Sequence, residues 1–187
     1  GGLVVVKHGH GGATAKIEIV EASHPVPDAA GVAAGEQILA IASAATAEDL
    51  VIALISGGGS ALLEAPAGLF LADIQATTSA LLASGATINE VNCLRKHLSA
   101  IKGGQLARAV QPATLVALVL SDVVGSPLDV IASGPTVPDS TTWQDAWDVV
   151  ERYGLAPTLP APVIARLQTG LDGRLQDTPK PGDPLFD

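Results

Sequence analysis

Cysteine, aromatic side chains, charge and long apolar runs are all scarce in this 187-residue sequence, and each scarcity closes off a class of protein. One cysteine, Cys93, cannot build a disulfide framework, and with no pairing motif beside it the residue reads as a small buried hydrophobe. No signal peptide is visible, so a reducing, cytoplasmic compartment is the default expectation. The longest apolar runs, Leu50–Ile55 and Leu115–Leu120, hold six residues each. A membrane span needs roughly 18 or more, so these runs read as buried strands. Aromatics supply only 3% of the chain, which leaves the core to Val, Ile, Leu and Ala. Charged residues are 16% against 48% hydrophobic, a balance that excludes a disordered chain.

The charge that is present is unevenly placed. A net charge of −9 disfavours a general nucleic-acid or anionic-membrane surface. Yet Arg95, Lys96, Lys102 and Arg108, four of the ten basic residues, fall within fourteen positions. That cluster either holds an anion or forms a solvated helix face.

Four buried-strand candidates stand out: Leu3–Lys7, Ile17–Val20, Leu50–Ser56 and Thr114–Ser121. Their near-continuous apolar character is what strands covered on both faces require. Helical patterns fill the intervals. Asp28 can cap a helix running to about Ala45, with Pro25 and Pro27 preventing an earlier start. Leu71–Ala83 carries apolar residues at helical spacing, and Ile88–Ile101 follows as a second helix closed by Gly103 and Gly104. Later helices are predicted over Trp143–Tyr153 and Pro162–Gln168. Alternating strands and helices predict an α/β fold: a doubly wound, mostly parallel sheet with helices on both faces, a Rossmann-like three-layer sandwich. Ligands bind such sheets at the carboxyl ends of strands. The chain opens almost directly on a strand and ends in TPKPGDPLF (178–186), linker or loop chemistry, so a longer parent protein is expected.

The carboxyl ends of the predicted strands carry the unusual residues. Leu50–Ile55 runs into Ser56, Gly57, Gly58, Gly59 and Ser60. Three consecutive glycines cost backbone entropy and suit a place where side chains would obstruct a phosphate or carboxylate, though a tight strand-to-helix turn would also use them. No GxxxxGK[ST] loop occurs, and Gly9–Thr14 misses GxGxxG at its sixth position. Lys7 ends its strand beside His8-Gly9-His10-Gly11-Gly12, where a lysine can neutralise a transferring phosphoryl group or simply face solvent. His8 and His10 have ligand-like spacing but no third ligand nearby. Asn92, Arg95, Ser99 and Lys102 follow at offsets of three, four and three, which places them on one helix face able to meet one anion. Asp122 follows the last strand and can be a Mg²⁺ ligand, a general base or a loop cap. A further small-residue loop holds Ser133, Gly134, Pro135 and Thr136.

Five stretches resemble the glycerate 2-kinase family whose members carry a small additional C-terminal domain: VVVKHGHG (4–11), EASHPVPDAAG (21–31), LISGGGSALL (54–63), NEVNCLRKHLSAIKGGQLA (89–107) and LSDVVGSPLDVIASGPTVPD (120–139). The likeness runs from the first residue to about Tyr153. It implies ATP-dependent phosphorylation of D-glycerate at the 2-hydroxyl with Mg²⁺, in a cleft between two domains. On this resemblance residues 1–170 are the N-terminal catalytic domain and 171–187 lead toward a C-terminal domain of the same parent chain. Lys7, Arg95 and Asp122 look catalytic, Asp122 also metal-organising. Ser56–Ser60, Asn92, Lys102, Ser133, Gly134 and Thr136 look like nucleotide and substrate ligands. Nucleic acid and membrane are not expected partners, and a homodimer is one allowed assembly.

Two other readings compete. Relatives are also labelled hydroxypyruvate reductases, but hydride transfer needs a dinucleotide site and the missing GxGxxG argues against one. A non-catalytic anion-binding module would use the same glycines and cations without turnover. A hydrolase is weakened because Ser60 does not sit in GxSxG.

Overall fold

A computed structural model describes residues 1–121, 125 and 127–186. The four expected strands are present: β1 (Gly2–Lys7), β2 (Ile17–Ala22), β3 (Leu50–Ile55) and β4 (Thr114–Val119). Both pairings are parallel, β1 with β2 from Gly2 opposite Ile17, and β3 with β4 from Leu50 opposite Thr114. Among the described residues these form two separate two-stranded sheets. The fold is therefore α/β with parallel strands and helices.

Helix α1 (Ala29–Ser43) starts where Asp28 predicts, because the Asp28 carboxylate accepts the Gly31 N–H at 2.9 Å. A single turn, α2 (Gly59–Leu62), follows β3. Helices α3 (Leu71–Ser84) and α4 (Ile88–Leu98) come next, α4 opened by a Thr87/Glu90 capping box. Helix α6 (Trp143–Arg152) has the same device in Thr142 and Asp145. It is followed by α7 (Ala161–Leu171).

Helix α4 stops three residues before the expected Ile101. Its backbone is diverted there: Ser99 is extended and bridges Pro66, Ala67 N–H donates to Leu98 O, and Ala100 N–H donates to Ala65 O. The Gly103–Gly104 pair consequently does not close α4. Gly104, at φ +79°, is the left-handed residue that opens an additional short helix, α5 (Gln105–Val110). Periodicity concealed this helix behind the preceding one.

Two cores result. Leu81, Leu94, Leu98, Trp143, Val150, Val163 and Leu167 knit α3, α4, α6 and α7 together. Ala42, Ile101, Leu106 and Val110 pack α1 and α5 onto Val51 and Leu115 of the β3–β4 pair. The opposite face of that pair is open, with Leu50, Ile52, Leu54, Val116 and Leu118 between 40% and 70% exposed. The proline-rich end packs on this body, Thr178 Oγ1 donating to buried Asp139 at 2.9 Å and Asp139 N–H donating to Pro179 O. No helix among the described residues is long and apolar enough to cross a membrane.

Candidate active site

The carboxyl end of β3 feeds a cavity of about 410 Å³. Gly57, Gly58 and Ser60 line it from the glycine loop, Asn92 and Arg95 from α4, and Ile131 and Ala132 from the turn after β4. Backbone geometry demands two of the loop's glycines. Gly58 sits at φ +84°, in the left-handed region, and a Cβ on Gly59 would lie 2.7 Å from the Ala132 Cβ. The loop is pressed against the turn, and only bare backbone fits between them.

Arg95 and Asn92, three residues apart, emerge on the same side of α4. Burial pushes the Arg95 guanidinium below its ordinary pKa, and the charge of Glu64 opposes that. Glu64 does not satisfy it, because Lys102 Nζ holds the Glu64 carboxylate at 2.7 Å. The Arg95 Nε is buried with no hydrogen-bond partner among the described residues. A buried donor left unmade is costly, and Arg95 thus brings an incompletely satisfied cation to the wall of an open cavity.

Behind the wall lies Ser133, fully buried. Its hydroxyl lies 2.9 Å from that of Ser60 and donates to Asn92 Oδ1 at 3.0 Å. The site therefore brings together Gly57, Gly58, Ser60, Asn92 and Arg95, with Gly59 and Ser133 supporting them.

Other candidates lie elsewhere. Lys102 is 1% exposed and makes the ion pair with Glu64 plus a bond to Leu63 O, so it does not share the ligand-facing side of α4. The physical reason is the early end of α4: Ser99 and Lys102 no longer follow the helical register. Burial lowers the Lys102 pKa, and Glu64 works against that. Lys7 is exposed at the end of β1 and Ser56 directly follows β3, neither lining the cavity. Gly134 supports the turn, its carbonyl accepting Gly104 N–H at 2.8 Å. Thr136 lines a different cavity, of about 640 Å³, with Gln111, Leu185 and Phe186. Asp122 falls outside the described residues.

The loop after β1 holds an anion already, its own. Gly9 and Gly11 N–H donate to the Glu21 carboxylate at 3.1 and 2.9 Å, which lowers its pKa. His8 lies 3.3 Å from Asp28 and 3.7 Å from Glu21. Burial alone would raise the Asp28 carboxyl, but the Gly31 N–H, Ser23 and His8 outweigh it and hold it at about 2. Among the described residues no three His, Cys, Asp or Glu side chains converge as a metal site.

Sequence reasoning gave no role to His24, whose ring lies 3.3 Å from where a Gly58 Cβ would be, or to Gln75, which donates to Pro27 O at 2.7 Å from the cavity rim. His24 lay inside a stretch already singled out, but only the fold shows that this loop closes over the glycines. Chemically, the cavity offers a cation, an amide, a hydroxyl and bare backbone. Of these, the cation, the amide N–H and the backbone N–H groups are of the kind that can hold oxyanions.

Comparison with known proteins places the chain in a family. The chain is 52% identical over 183 residues, 97% of its length, to an Agrobacterium vitis protein provisionally named a hydroxypyruvate reductase, covering 40% of that protein. It is 44% identical over 180 residues, 96% of its length, to a glycerate 2-kinase of Pyrococcus horikoshii, covering 41% of it. The crystal structure of a glycerate kinase from Thermotoga maritima superposes with a TM-score of 0.87 at 48% identity, over 96% of this chain and 42% of that one. The chain thus spans about two fifths of the length of these relatives. Residues 1–168 match the family described as "Domain of unknown function (DUF4147)", and the chain belongs to that family.

Proposed function

We propose that this chain is the N-terminal catalytic domain of a glycerate 2-kinase, transferring the γ-phosphoryl group of ATP to the 2-hydroxyl of D-glycerate. The observation that carries the reading is the Arg95 guanidinium, whose buried Nε lacks a partner at a cavity also lined by Asn92, Ser60 and the glycine loop. The names of the Pyrococcus and Thermotoga relatives support it.

Phosphoryl transfer asks for positioning and charge neutralisation more than for a covalent nucleophile, and the cavity's groups suit that demand. In the reaction the glycerate 2-hydroxyl oxygen forms a bond to the γ-phosphorus and the bond to the β,γ-bridging oxygen breaks. The hydroxyl proton is released, giving 2-phosphoglycerate and ADP. Arg95 and Asn92 would hold anionic oxygens, and the backbone of Gly57 and Gly58 leaves room for a phosphoryl group. Lys7 and Asp122 are proposed as the active-site lysine and the catalytic or metal-organising carboxylate on the resemblance alone. Mg²⁺ would neutralise the phosphate charge of ATP, and Asp122 is the residue proposed to hold it.

The finer architecture is part of the same proposal. Residues 1–170 would form one doubly wound sheet with the remainder of a longer domain, whose helices cover the open Leu50, Ile52 and Leu54 face. Residues 171–187 would lead toward the second domain. A cytoplasmic location accords with Cys93, whose thiol burial pushes up to about 12, as expected of an inert thiol and not a disulfide partner.

The test is product formation by the full-length protein supplied with MgATP and D-glycerate. Glycerate-dependent ADP release with 2-phosphoglycerate as product is expected. NADH consumption on adding hydroxypyruvate, without ADP release, would replace the kinase by the reductase named among the relatives.

A further inference from the structure

We infer that Ser133 is a positioning residue of the site: out of a ligand's reach, it fixes Ser60 as a hydrogen-bond acceptor toward the cavity and locks Asn92 beside it. The inference rests on the kinase reading above for its kinetic test.

The backbone is unusual first. Ala132 and Ser133 both lie at positive φ, +52° and +60°, and neither is glycine. Side chains avoid this region unless the surroundings impose it, and consecutive cases concentrate at functional sites. The surroundings here are specific. Ser133 O accepts the Gly103 N–H at 2.9 Å, Gly134 O accepts the Gly104 N–H at 2.8 Å, and Ala132 presses on Gly59. The turn is therefore clamped from the α4–α5 side and the glycine-loop side together.

What the clamp delivers is one hydroxyl between two cavity residues. Ser133 is fully buried, and its Oγ reaches Ser60 Oγ at 2.9 Å and Asn92 Oδ1 at 3.0 Å. A serine has one hydroxyl proton. With that proton given to Asn92, the bond between the serines can only be Ser60 donating to Ser133. Ser60 then has no proton left for a ligand and turns lone pairs to the cavity. Phosphoryl and carboxylate oxygens are acceptors and need donors. A hydroxyl of the acceptor alcohol needs a partner like Ser60. The relay thus separates the site's tasks: Arg95 meets the anion, and Ser60, aimed by Ser133, meets a substrate hydroxyl.

The test compares Ser133→Gly, Ser133→Ala, Ser60→Ala and the Ser60→Ala/Ser133→Ala double variant in the full-length protein. Glycine relieves the left-handed backbone and alanine does not, yet both remove the hydroxyl. Both are expected to lower kcat/KM by about 10–100-fold, the scale of a misplaced site group, whichever melts higher. The KM for glycerate should rise while that for ATP stays within about twofold, and the double variant should lose less than the product of the two single losses, because part of the Ser133 effect runs through Ser60. Wild-type turnover in Ser133→Gly, a rise confined to the KM for ATP, or fully multiplicative losses would overturn the inference. If the unsubstituted protein releases no glycerate-dependent ADP, the kinase reading falls by itself. The crystal structure of Ser133→Gly then decides the positioning role: Ser60 and Asn92 leaving their rotamers uphold it, and both unmoved refute it.

Discussion

Replacing Lys102 by methionine should cripple folding, and replacing Glu64 along with it should largely repair the damage. Lys102 and Glu64 are 1% and 2% exposed, and their charges lie 2.7 Å apart. At an effective dielectric of about 20 their attraction is about 6 kcal/mol, which roughly offsets the several kcal/mol needed to dehydrate each ion. The intact pair therefore contributes little net stability. Removing only Lys102 leaves the Glu64 carboxylate buried with the Ala65 N–H as its remaining partner and frees the carbonyl of Leu63. The expected cost is about 3–5 kcal/mol, a fall in Tm of about 6–20 °C. In Lys102→Met/Glu64→Gln no charge is stranded, and stability should return to within about 1–2 kcal/mol of the parent. Urea unfolding of the full-length proteins, followed by the fluorescence of Trp143 and Trp147, measures both. A cost below about 1 kcal/mol for Lys102→Met, or additive losses in the double variant, would refute the buried-pair argument and return Lys102 to the list of ligand-facing cations.

Two further substitutions probe the frame around the site. Gly170→Ala adds a Cβ only 2.1 Å from the Trp143 ring, so overpacking of about 1–3 kcal/mol should outweigh the roughly 1 kcal/mol that alanine ordinarily gains over glycine within a helix. A thermal melt shows it, and a raised Tm would contradict the packing. Asp28→Ala should cost about 1 kcal/mol as a lost helix cap. The Asp28 carboxyl lies at about 2 in the fold against an ordinary 3.8, so its contribution is complete above about pH 4 and disappears as pH falls toward 2. Stability measured from pH 6 to 2 should therefore drop less steeply for Asp28→Ala than for the parent. Parallel curves would place the carboxylate's stabilisation elsewhere.

How far the sequence revealed this arrangement depended on the range of the interaction. All four strands were legible because buried parallel strands read as apolar runs, and α1 because its Asp28 cap is local chemistry; the Thr87 and Thr142 capping boxes that open α4 and α6 are equally local but went unread. Asn92 and Arg95 were legible because a spacing of three on one helix needs no tertiary information. Lys102 was not, because an antiparallel bridge between Pro66 and Ser99 ends that helix from outside. Ser133 stood out as part of a small-residue loop, but its partners lie 73 and 41 residues away in the chain, which no local pattern encodes. His24 and Gln75 reach the cavity from different elements for the same reason. The open β3–β4 face has another origin: its apolar residues fit strands covered on both sides, and the relatives are about two and a half times longer.

Arg95 is the residue on which the proposed kinase activity most depends, as the cation that would hold the substrate's anionic oxygens. The most direct test of that role is ADP release by the full-length Arg95→Met variant, which keeps the apolar stem and removes the charge. The prediction is a fall in kcat/KM for glycerate of about 10²–10³-fold with cooperative unfolding retained, the scale of losing one preorganised oxyanion partner. Turnover within about threefold of the parent would contradict the claim and move the site out of this cavity.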